Sequence, residues 1–285
     1  MPSVYCVPVS GVTASRVGRA QVHHELSRLL GHGSGDWSLR AFPETAGDRP
    51  QLEIGVVGGD LDRRLPEVLR PGARLELTGL RATQVWSVAG PPERAMHSSW
   101  HDLATPFPEG KPVRSWDVVF MSPACTHPGA AYFPLLDGAS LLQSLIGAWQ
   151  RGVAQDWGPP AGQGLDAAGR YTVAVWSQYA EQPDRIPAGF LLAGRQWDRS
   201  ARMDLRVSAL RGHTEVHRIP QTGARRGIEI HGFVGSLRLV AADDDLAALA
   251  DCLLRLGQYA GAGAKTGYGF GAMSVTPWRP PPPPT

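Results

Sequence analysis

Five glycines and one lysine lie within eleven residues near the end of the chain, in the stretch Gly261-Ala-Gly-Ala-Lys-Thr-Gly-Tyr-Gly-Phe-Gly271. Glycine allows a backbone to approach a ligand closely, and successive free N–H groups bind phosphate oxygens. The lysine adds a positive charge. The stretch therefore predicts a loop that binds an anion or a nucleic acid, with a flexible connector as the alternative interpretation. Its candidate binding residues are Gly261, Gly263, Lys265, Gly267, Gly269 and Gly271.

The position of this glycine loop excludes the two common nucleotide-binding loops. An apolar run with helical spacing precedes it at 246–256, and a strand-like run follows it at 272–275. A P-loop and a dinucleotide-binding loop both join a strand to a following helix. Because the order here is reversed, the loop belongs to neither an ATPase nor a Rossmann domain.

Arginine is concentrated in residues 195–226, which carry eight arginines against three acidic residues. The net charge of this segment is +5, although the whole chain carries only +2. Guanidinium groups bind phosphate in a bidentate manner and stack on bases, so the segment favours a polyanionic partner. A solvated strand face is the alternative. Arg225 and Arg226 are the adjacent pair that we expect to contact the phosphates of this partner.

Composition predicts a folded protein with two ordinary domains. The chain has 285 residues, of which 42% are hydrophobic and 19% charged. No apolar run reaches the roughly 18 residues that span a bilayer, and the N-terminus has no signal-peptide pattern, so we expect a cytoplasmic protein without membrane contact. The three scattered cysteines form neither a disulfide framework nor a metal cluster, which fits a reducing cytosol. We expect no cofactor and no structural or catalytic metal.

Apolar periodicity predicts alternating strands and helices in both halves of the chain. The first half is a β-α-β-α-β series with room for one more strand at 37–42. In the second half we predict strands at 116–121, 171–178, 189–192, 203–210 and 228–240, helices at 138–149 and 246–256, and a final strand after the glycine loop. A β-α-β-β-α-β unit is the ferredoxin-like motif. We therefore predict an α+β protein with two tandem ferredoxin-like domains, 1–108 and 113–278, and a polyproline tail at 279–285.

Two blocks of the second half resemble a known family. One is Phe233-Val-Gly-Ser-Leu-Arg-Leu-Val together with the stretch from Leu253 through the glycine loop. The other is Val118-Val-Phe-Met-Ser-Pro-Ala, followed by Leu141-Leu-Gln-Ser-Leu-Ile-Gly-Ala-Trp. Both are similar to the CRISPR-associated repeat-processing endoribonucleases of the repeat-associated mysterious protein superfamily.

The resemblance implies that precursor CRISPR RNA binds across two ferredoxin-like domains and that the glycine loop contacts RNA and joins the domains. It implies metal-independent cleavage, in which a 2′-hydroxyl attacks the adjacent phosphate and leaves a 2′,3′-cyclic phosphate. The partner it implies is CRISPR repeat RNA, as precursor and as mature crRNA. A CRISPR effector complex and a homodimer are the further partners to be considered.

The resemblance also places the catalytic histidine on the first helix or just after it, which leaves His32, His23 and His24. Imidazole suits proton transfer near neutral pH. His32 follows the first helical run and precedes the 37–42 strand, as in the family, and is our first candidate. His23 lies in a Val-His-His-Glu-Leu-Ser setting that resembles a related branch of these nucleases, and it is the second candidate.

The tyrosine and lysine that usually assist catalysis in the family are missing from the first half. No lysine precedes Lys111, and Tyr5 is the only early tyrosine. An arginine could supply the charge on the phosphate instead, and the candidates are Arg16, Arg19, Arg28 and Arg40. Two other functions compete with the nuclease: a non-catalytic guide-RNA-binding subunit of the same superfamily, and an enzyme that binds a phosphorylated metabolite at the glycine loop.

Overall fold

The computed structural model describes residues 1–12, 18–31, 36–42, 50–78, 83–104, 113–127, 129, 131–157, 205–219 and 227–279. The predicted strands at 171–178 and 189–192 lie outside these residues, as does the polyproline tail from residue 280 onward. Among the described residues, no helix is long and apolar enough to cross a membrane.

The first half forms one antiparallel sheet with two helices. Its elements are β1 (Ser3–Ser10), α1 (Arg19–Leu30), β2 (Trp37–Ala41), β3 (Gln51–Val56), α2 (Gly59–Val68), β4 (Arg74–Thr78), β5 (Thr83–Val88) and β6 (Glu93–His97). The strand order is β2-β3-β1-β5-β4, and β6 also pairs with β1. The strand predicted at 37–42 is therefore present as β2. The structure adds β6, which the sequence did not predict, on the same edge of β1 as β5.

Burial on one face explains why these residues form the sheet and its helices. In β3 the alternate residues Leu52, Ile54 and Val56 are fully buried, as expected for a strand with a single core face. In α1 the residues Val22 and Leu26 recur at helical spacing on the same apolar cluster. The first turn of α1 is stabilised where the Gln21 side chain accepts a hydrogen bond from the backbone of Gly18.

The second half repeats the arrangement. Its elements are α3 (Trp100–Ala104), β7 (Ser115–Thr126), β8 (Phe133–Pro134), α4 (Gly138–Trp157), β9 (Leu205–Ile219), β10 (Ile228–Ala241), α5 (Asp244–Ala260) and β11 (Met273–Pro277). Its main strands lie in the order β11-β7-β10-β9. If the four strands of the unit β7-α4-β9-β10-α5-β11 are numbered in chain order, they lie side by side as 4-1-3-2. In the first half, the strands β1, β2, β3 and β5 have the same arrangement, β5-β1-β3-β2. The predicted α+β class with two tandem ferredoxin-like units is confirmed.

The two sheets are joined through the C-terminal end of α5. Ser38 Oγ donates a 2.9 Å hydrogen bond to the carbonyl of Tyr259, and Arg40 donates to the carbonyl of Gln258. Gly55 in β3 allows this approach, because a Cβ at that position would overlap the Tyr259 carbonyl. The glycine loop leaves α5 directly after this contact, so its position depends on both halves of the chain.

Candidate nucleic-acid interface

The glycine loop, residues 261–271, is anchored to the second sheet by its own backbone. The amide of Ala264 donates to the carbonyl of Cys125 at 2.7 Å, and the amide of Gly271 donates to the carbonyl of Pro123 at 2.9 Å. The amide of Gly263 donates to Ser144 Oγ in α4 at 3.0 Å. The loop is therefore a fixed structure on the end of β7, and the interpretation as a flexible connector is wrong.

Two of the glycines are required by this anchoring. Gly263 and Gly271 both have positive φ, +92° and +72°, and a Cβ on either would overlap a backbone carbonyl, that of Cys125 or of Ala262. Their small size therefore serves packing inside the protein. Within the loop, the amides without an acceptor among the described residues belong to Lys265, Thr266 and Gly267. A phosphate oxygen would find its donors in this short segment.

The other side of the loop contacts the first helix. Arg19 Nη1 donates a 2.6 Å hydrogen bond to the carbonyl of Gly269. The ring of Tyr268 stacks on His23, with centroids 3.7 Å apart, and Trp37 stacks on the same imidazole at 5.4 Å. The loop therefore holds the two halves of the chain together, as the family resemblance implies.

Lys265 has an unusual backbone conformation. With φ 63° and ψ 31° it is the one described non-glycine residue with positive φ. A left-handed conformation costs a non-glycine residue about 1–2 kcal/mol, and such strain is concentrated at functional sites. Its Nζ lies 5.1 Å from the ring centroid of Tyr268 and 5.8 Å from that of Tyr132. Lys265 therefore remains a candidate anion-binding residue, in a backbone position suited to glycine and with its ammonium near two aromatic rings.

His23, the second catalytic candidate, is buried between Trp37 and Tyr268, with 7% of its surface exposed. The pKa of His23 is lowered to about 4, mainly by burial; a hydrogen bond to the backbone of Gly267 opposes the shift, and the neighbouring charges of His24 and Lys265 contribute to it, because burial and like charges disfavour the imidazolium. The ring is therefore neutral at pH 7. In this arrangement His23 contributes to the junction between the glycine loop and α1.

The burial of His23 predicts that the fold loses stability in mild acid. In the unfolded chain the imidazole titrates near its ordinary pKa of 6.5, while in the folded protein it stays neutral down to about pH 4. The contribution of His23 to the free energy of unfolding is therefore fully present above pH 6.5. It decreases as the pH falls, by about 2 kcal/mol at pH 5. Urea unfolding at pH 7 and pH 5 measures this difference.

His23→Phe is the matched control for that experiment, because it keeps a stacked ring and removes the titration. We expect the free energy of unfolding of His23→Phe to decrease less between pH 7 and pH 5 than that of the unmodified protein. An equal decrease in both proteins would show that His23 is not buried as a neutral ring.

The two other histidine candidates differ in position. His24 is exposed on α1, and its ring centroid lies 6.4 Å from that of Tyr268, so it lies next to the glycine loop. His32 lies outside the described residues; α1 ends at Leu30, two residues before it. Since a helix rises 1.5 Å per residue, the end of α1 lies about 10 Å along the axis from His23.

The early arginines and Tyr5 are largely engaged within the protein. Arg28 forms a bidentate pair with Glu25, and the Arg40 guanidinium is buried in the contact with α5. Arg19 is bound to the loop carbonyl already described, and Arg16 lies outside the described residues. Tyr5 is buried and its hydroxyl bonds to Asp62 and Arg94, so it does not present a free phenol.

The long hairpin of β9 and β10 carries the described part of the arginine segment. Arg206, Arg211 and Arg218 are exposed on β9, and Arg218 pairs with Glu229. Arg225 and Arg226 lie outside the described residues. The hairpin reaches the glycine loop, where the ring of His217 contacts Phe270 edge-on at 5.5 Å. One end of β9 therefore lies next to the loop.

Tyr132 and His127 were not among the predicted site residues. Their rings stack at 4.2 Å, and Tyr132 brings them next to Lys265. They lie after β7 in a stretch rich in glycine and proline. This stretch has no hydrophobic periodicity from which its position could be predicted. Only the approach of the glycine loop to Cys125 brings them to the site.

Comparisons with known proteins agree with this geometry. The family described as CRISPR-associated endoribonuclease Cas6 matches residues 118–273, more than half of the chain. A search of curated proteins gives no match. Among solved structures, a product complex of Cas6 (TTHA0078) is 17% identical, covers 96% of this chain and 99% of that chain, and has a TM-score of 0.62. A product complex of the Thermus thermophilus Cas6 (TTHB231) is 19% identical, covers 97% and 100%, and has a TM-score of 0.61. At these identities the two structures support the fold.

Proposed function

The chain belongs to the CRISPR-associated endoribonuclease Cas6 family, and from this premise we propose that it cleaves CRISPR repeat RNA without a metal ion. The observation that carries the proposal is the glycine loop, which presents a strained lysine between two tyrosines at the junction of the halves 1–108 and 113–278. Repeat RNA would bind there as precursor and remain bound as mature crRNA.

The reaction that we propose is an internal transesterification. The 2′-hydroxyl of the nucleotide before the scissile bond attacks the phosphorus, the bond to the 5′-oxygen breaks, and the products end in a 2′,3′-cyclic phosphate and a 5′-hydroxyl. His32 would accept the 2′-hydroxyl proton or donate one to the leaving oxygen, because imidazole is the side chain best suited to proton transfer near neutral pH. The chemistry requires no redox partner.

Lys265 is our candidate for the positive charge at the phosphate. The arginines of α1 and β2 are engaged in protein contacts, whereas Lys265 lies over two aromatic rings and adjoins amides without an acceptor among the described residues. A fixed cation and backbone donors stabilise the charge that develops on a phosphate during cleavage.

Lys265→Gly separates the binding role of this residue from its structural effect. Glycine relieves the left-handed strain, so we expect the free energy of unfolding to stay unchanged or to rise by about 1 kcal/mol. Affinity for repeat RNA should fall, and the slope of log affinity against log salt should decrease by about 0.7–0.9 because one phosphate contact is lost. Lys265→Ala is the matched control that removes the charge but keeps the strain. Unchanged affinity and salt slope in both variants would place the RNA elsewhere.

Incubation of labelled repeat RNA with the full chain in EDTA tests the function. Cleavage within the repeat supports the nuclease. RNA that is bound but intact would indicate the guide-RNA-binding subunit, and absence of RNA binding would favour the small-molecule enzyme.

A further inference from the structure

Strand β9 lies at one end of the second sheet and pairs, among the described strands, with β10 alone. Its residues 208–214 are all exposed, so neither face of the strand is covered there. An edge strand presents a row of free backbone N–H and C=O groups with which another strand can pair. The stretch 209–217 contains none of the lysines or prolines that usually prevent such pairing.

A β-bulge sets one limit of this edge. Ala209 pairs with Arg238 and Val207 pairs with Leu239, so Ser208 has no opposite residue in β10. From Ala209 onward the register with β10 is regular. Because a bulge bends and twists a strand, the part of the edge that is suited to pairing begins at Ala209.

The stretch 209–217 is complementary to a second copy of itself. If two copies pair antiparallel about a two-fold axis at His213, each residue lies opposite the residue equally far beyond the axis. Leu210 then lies opposite Val216 of the second copy. These are the large apolar side chains that β9 exposes, at 55% and 56%. The contact forms twice, once on each side of the axis, and removes both apolar side chains of each copy from water.

The charged side chains of β9 agree with the same register. Arg211 has no hydrogen bond or ion pair among the described residues, and it would lie opposite Glu215 of the second copy. Glu215 accepts hydrogen bonds from His213 and His217 of its own chain, and a carboxylate can accept about four. Its side chain is still 38% exposed. Opposite charges directly across an antiparallel pair stabilise the pairing.

The neighbouring registers lack this complementarity. Antiparallel pairs alternate between two hydrogen-bonding types, so a two-fold axis must pass through a residue position and not between two of them. An axis at residue 211 would place Arg211 opposite its own copy. An axis at residue 212 or 214 would place Leu210 opposite Thr214 or Arg218. Of these registers, the axis at His213 alone matches the apolar and the charged side chains together.

We propose that two copies of the chain associate through β9 into a symmetric dimer with one continuous sheet. This pairing goes beyond the proposed function and does not depend on it. One consequence does depend on it: His217 contacts the glycine loop and lies four residues from the axis. The two His217 residues would therefore lie about 27 Å apart along the strands, and the dimer would hold two RNA sites at this spacing.

Sedimentation equilibrium of the full chain without RNA tests the dimer. The mass of the unmodified protein should rise with concentration from 30.6 kDa to twice that value. Arg211→Glu and Glu215→Arg should each weaken association by about 4- to 900-fold, because two attractive cross-strand pairs become repulsive. An equimolar mixture of the two variants should associate again, because each glutamate then lies opposite an arginine.

Arg206→Glu is the matched control, because it makes the same change of charge on β9 beyond the bulge. It should associate like the unmodified protein. A mass of 30.6 kDa for the unmodified protein at every concentration, a dimer that neither charge variant weakens, or a mixture of folded variants that does not associate would overturn the proposal.

His213→Cys keeps the test decisive if a charge variant fails to fold. Residues directly opposite in an antiparallel pair have Cα atoms about 4.5–5.5 Å apart, within the range of a disulfide. Oxidation with diamide should therefore link two copies of this variant, whereas Arg206→Cys, far from the axis, should not cross-link. Equal cross-linking of the two variants, or none in either, would show that β9 does not pair with itself. Cleavage of repeat RNA is measured separately, so the proposed function does not fail with the dimer.

Discussion

His32→Ala is expected to slow cleavage of CRISPR repeat RNA by about 10²–10⁴-fold, the usual contribution of a positioned acid or base. Affinity for the same RNA should stay near that of the unmodified protein, because we place the RNA contacts in the glycine loop and on β9. Single-turnover cleavage of labelled RNA, together with a binding titration, measures both quantities.

The two histidines of α1 provide the controls. His23→Phe keeps the stacked ring between Trp37 and Tyr268 and should leave the cleavage rate within a few-fold of normal, and His24→Ala should cost less than His32→Ala. If His23→Phe or His24→Ala abolishes cleavage while His32→Ala does not, the catalytic assignment is wrong. If all three variants cleave normally, none of these three histidines is the catalytic residue.

Gly271→Ala should be the most destabilising single change in the glycine loop. Its φ of +72° is unfavourable for alanine, and the added Cβ would overlap the carbonyl of Ala262, whose amide in turn donates to the Gly271 carbonyl. We expect the free energy of unfolding to fall by more than about 3 kcal/mol, because strain and overlap act together. Urea unfolding of the purified variant measures the loss.

Gly72→Ala is the matched control for the overlap. Gly72 has a similar φ of +83°, but a Cβ there meets nothing within 4 Å. Gly72→Ala should therefore lower the free energy of unfolding only by the cost of a left-handed conformation for alanine, about 1–2 kcal/mol. Equal losses in the two variants would show that the packing of Gly271 against Ala262 adds nothing, and that the loop is held less tightly than its hydrogen bonds indicate.

The fold could be predicted from the sequence because its signals are local. The alternation of Leu52, Ile54 and Val56 and the helical spacing of Val22 and Leu26 each identify an element without knowledge of the rest. The strand β6 was missed because its residues Glu93–His97 are all exposed. Such an edge strand has no apolar face to reveal it.

The site was predicted only in part, because it is formed by contacts between residues distant in the chain. Glycine spacing identified the loop, but most of its amides bind the protein itself. The strained backbone of Lys265 and its approach to Tyr132, 133 residues earlier, leave no trace in the local pattern. The burial of His23 likewise depends on Tyr268. Because Tyr268 lies far from α1 in the sequence, the residue pattern of α1 gives no sign of this contact.

The chemical identity of the ends produced from repeat RNA in EDTA tests the central claim most directly. Our account predicts cleavage at full rate in EDTA, with a 2′,3′-cyclic phosphate on one product and a 5′-hydroxyl on the other, and no cleavage when the 2′-hydroxyl at the scissile nucleotide is replaced by hydrogen. Products with a 3′-hydroxyl and a 5′-phosphate, or cleavage that stops in EDTA and returns with a divalent cation, would contradict it.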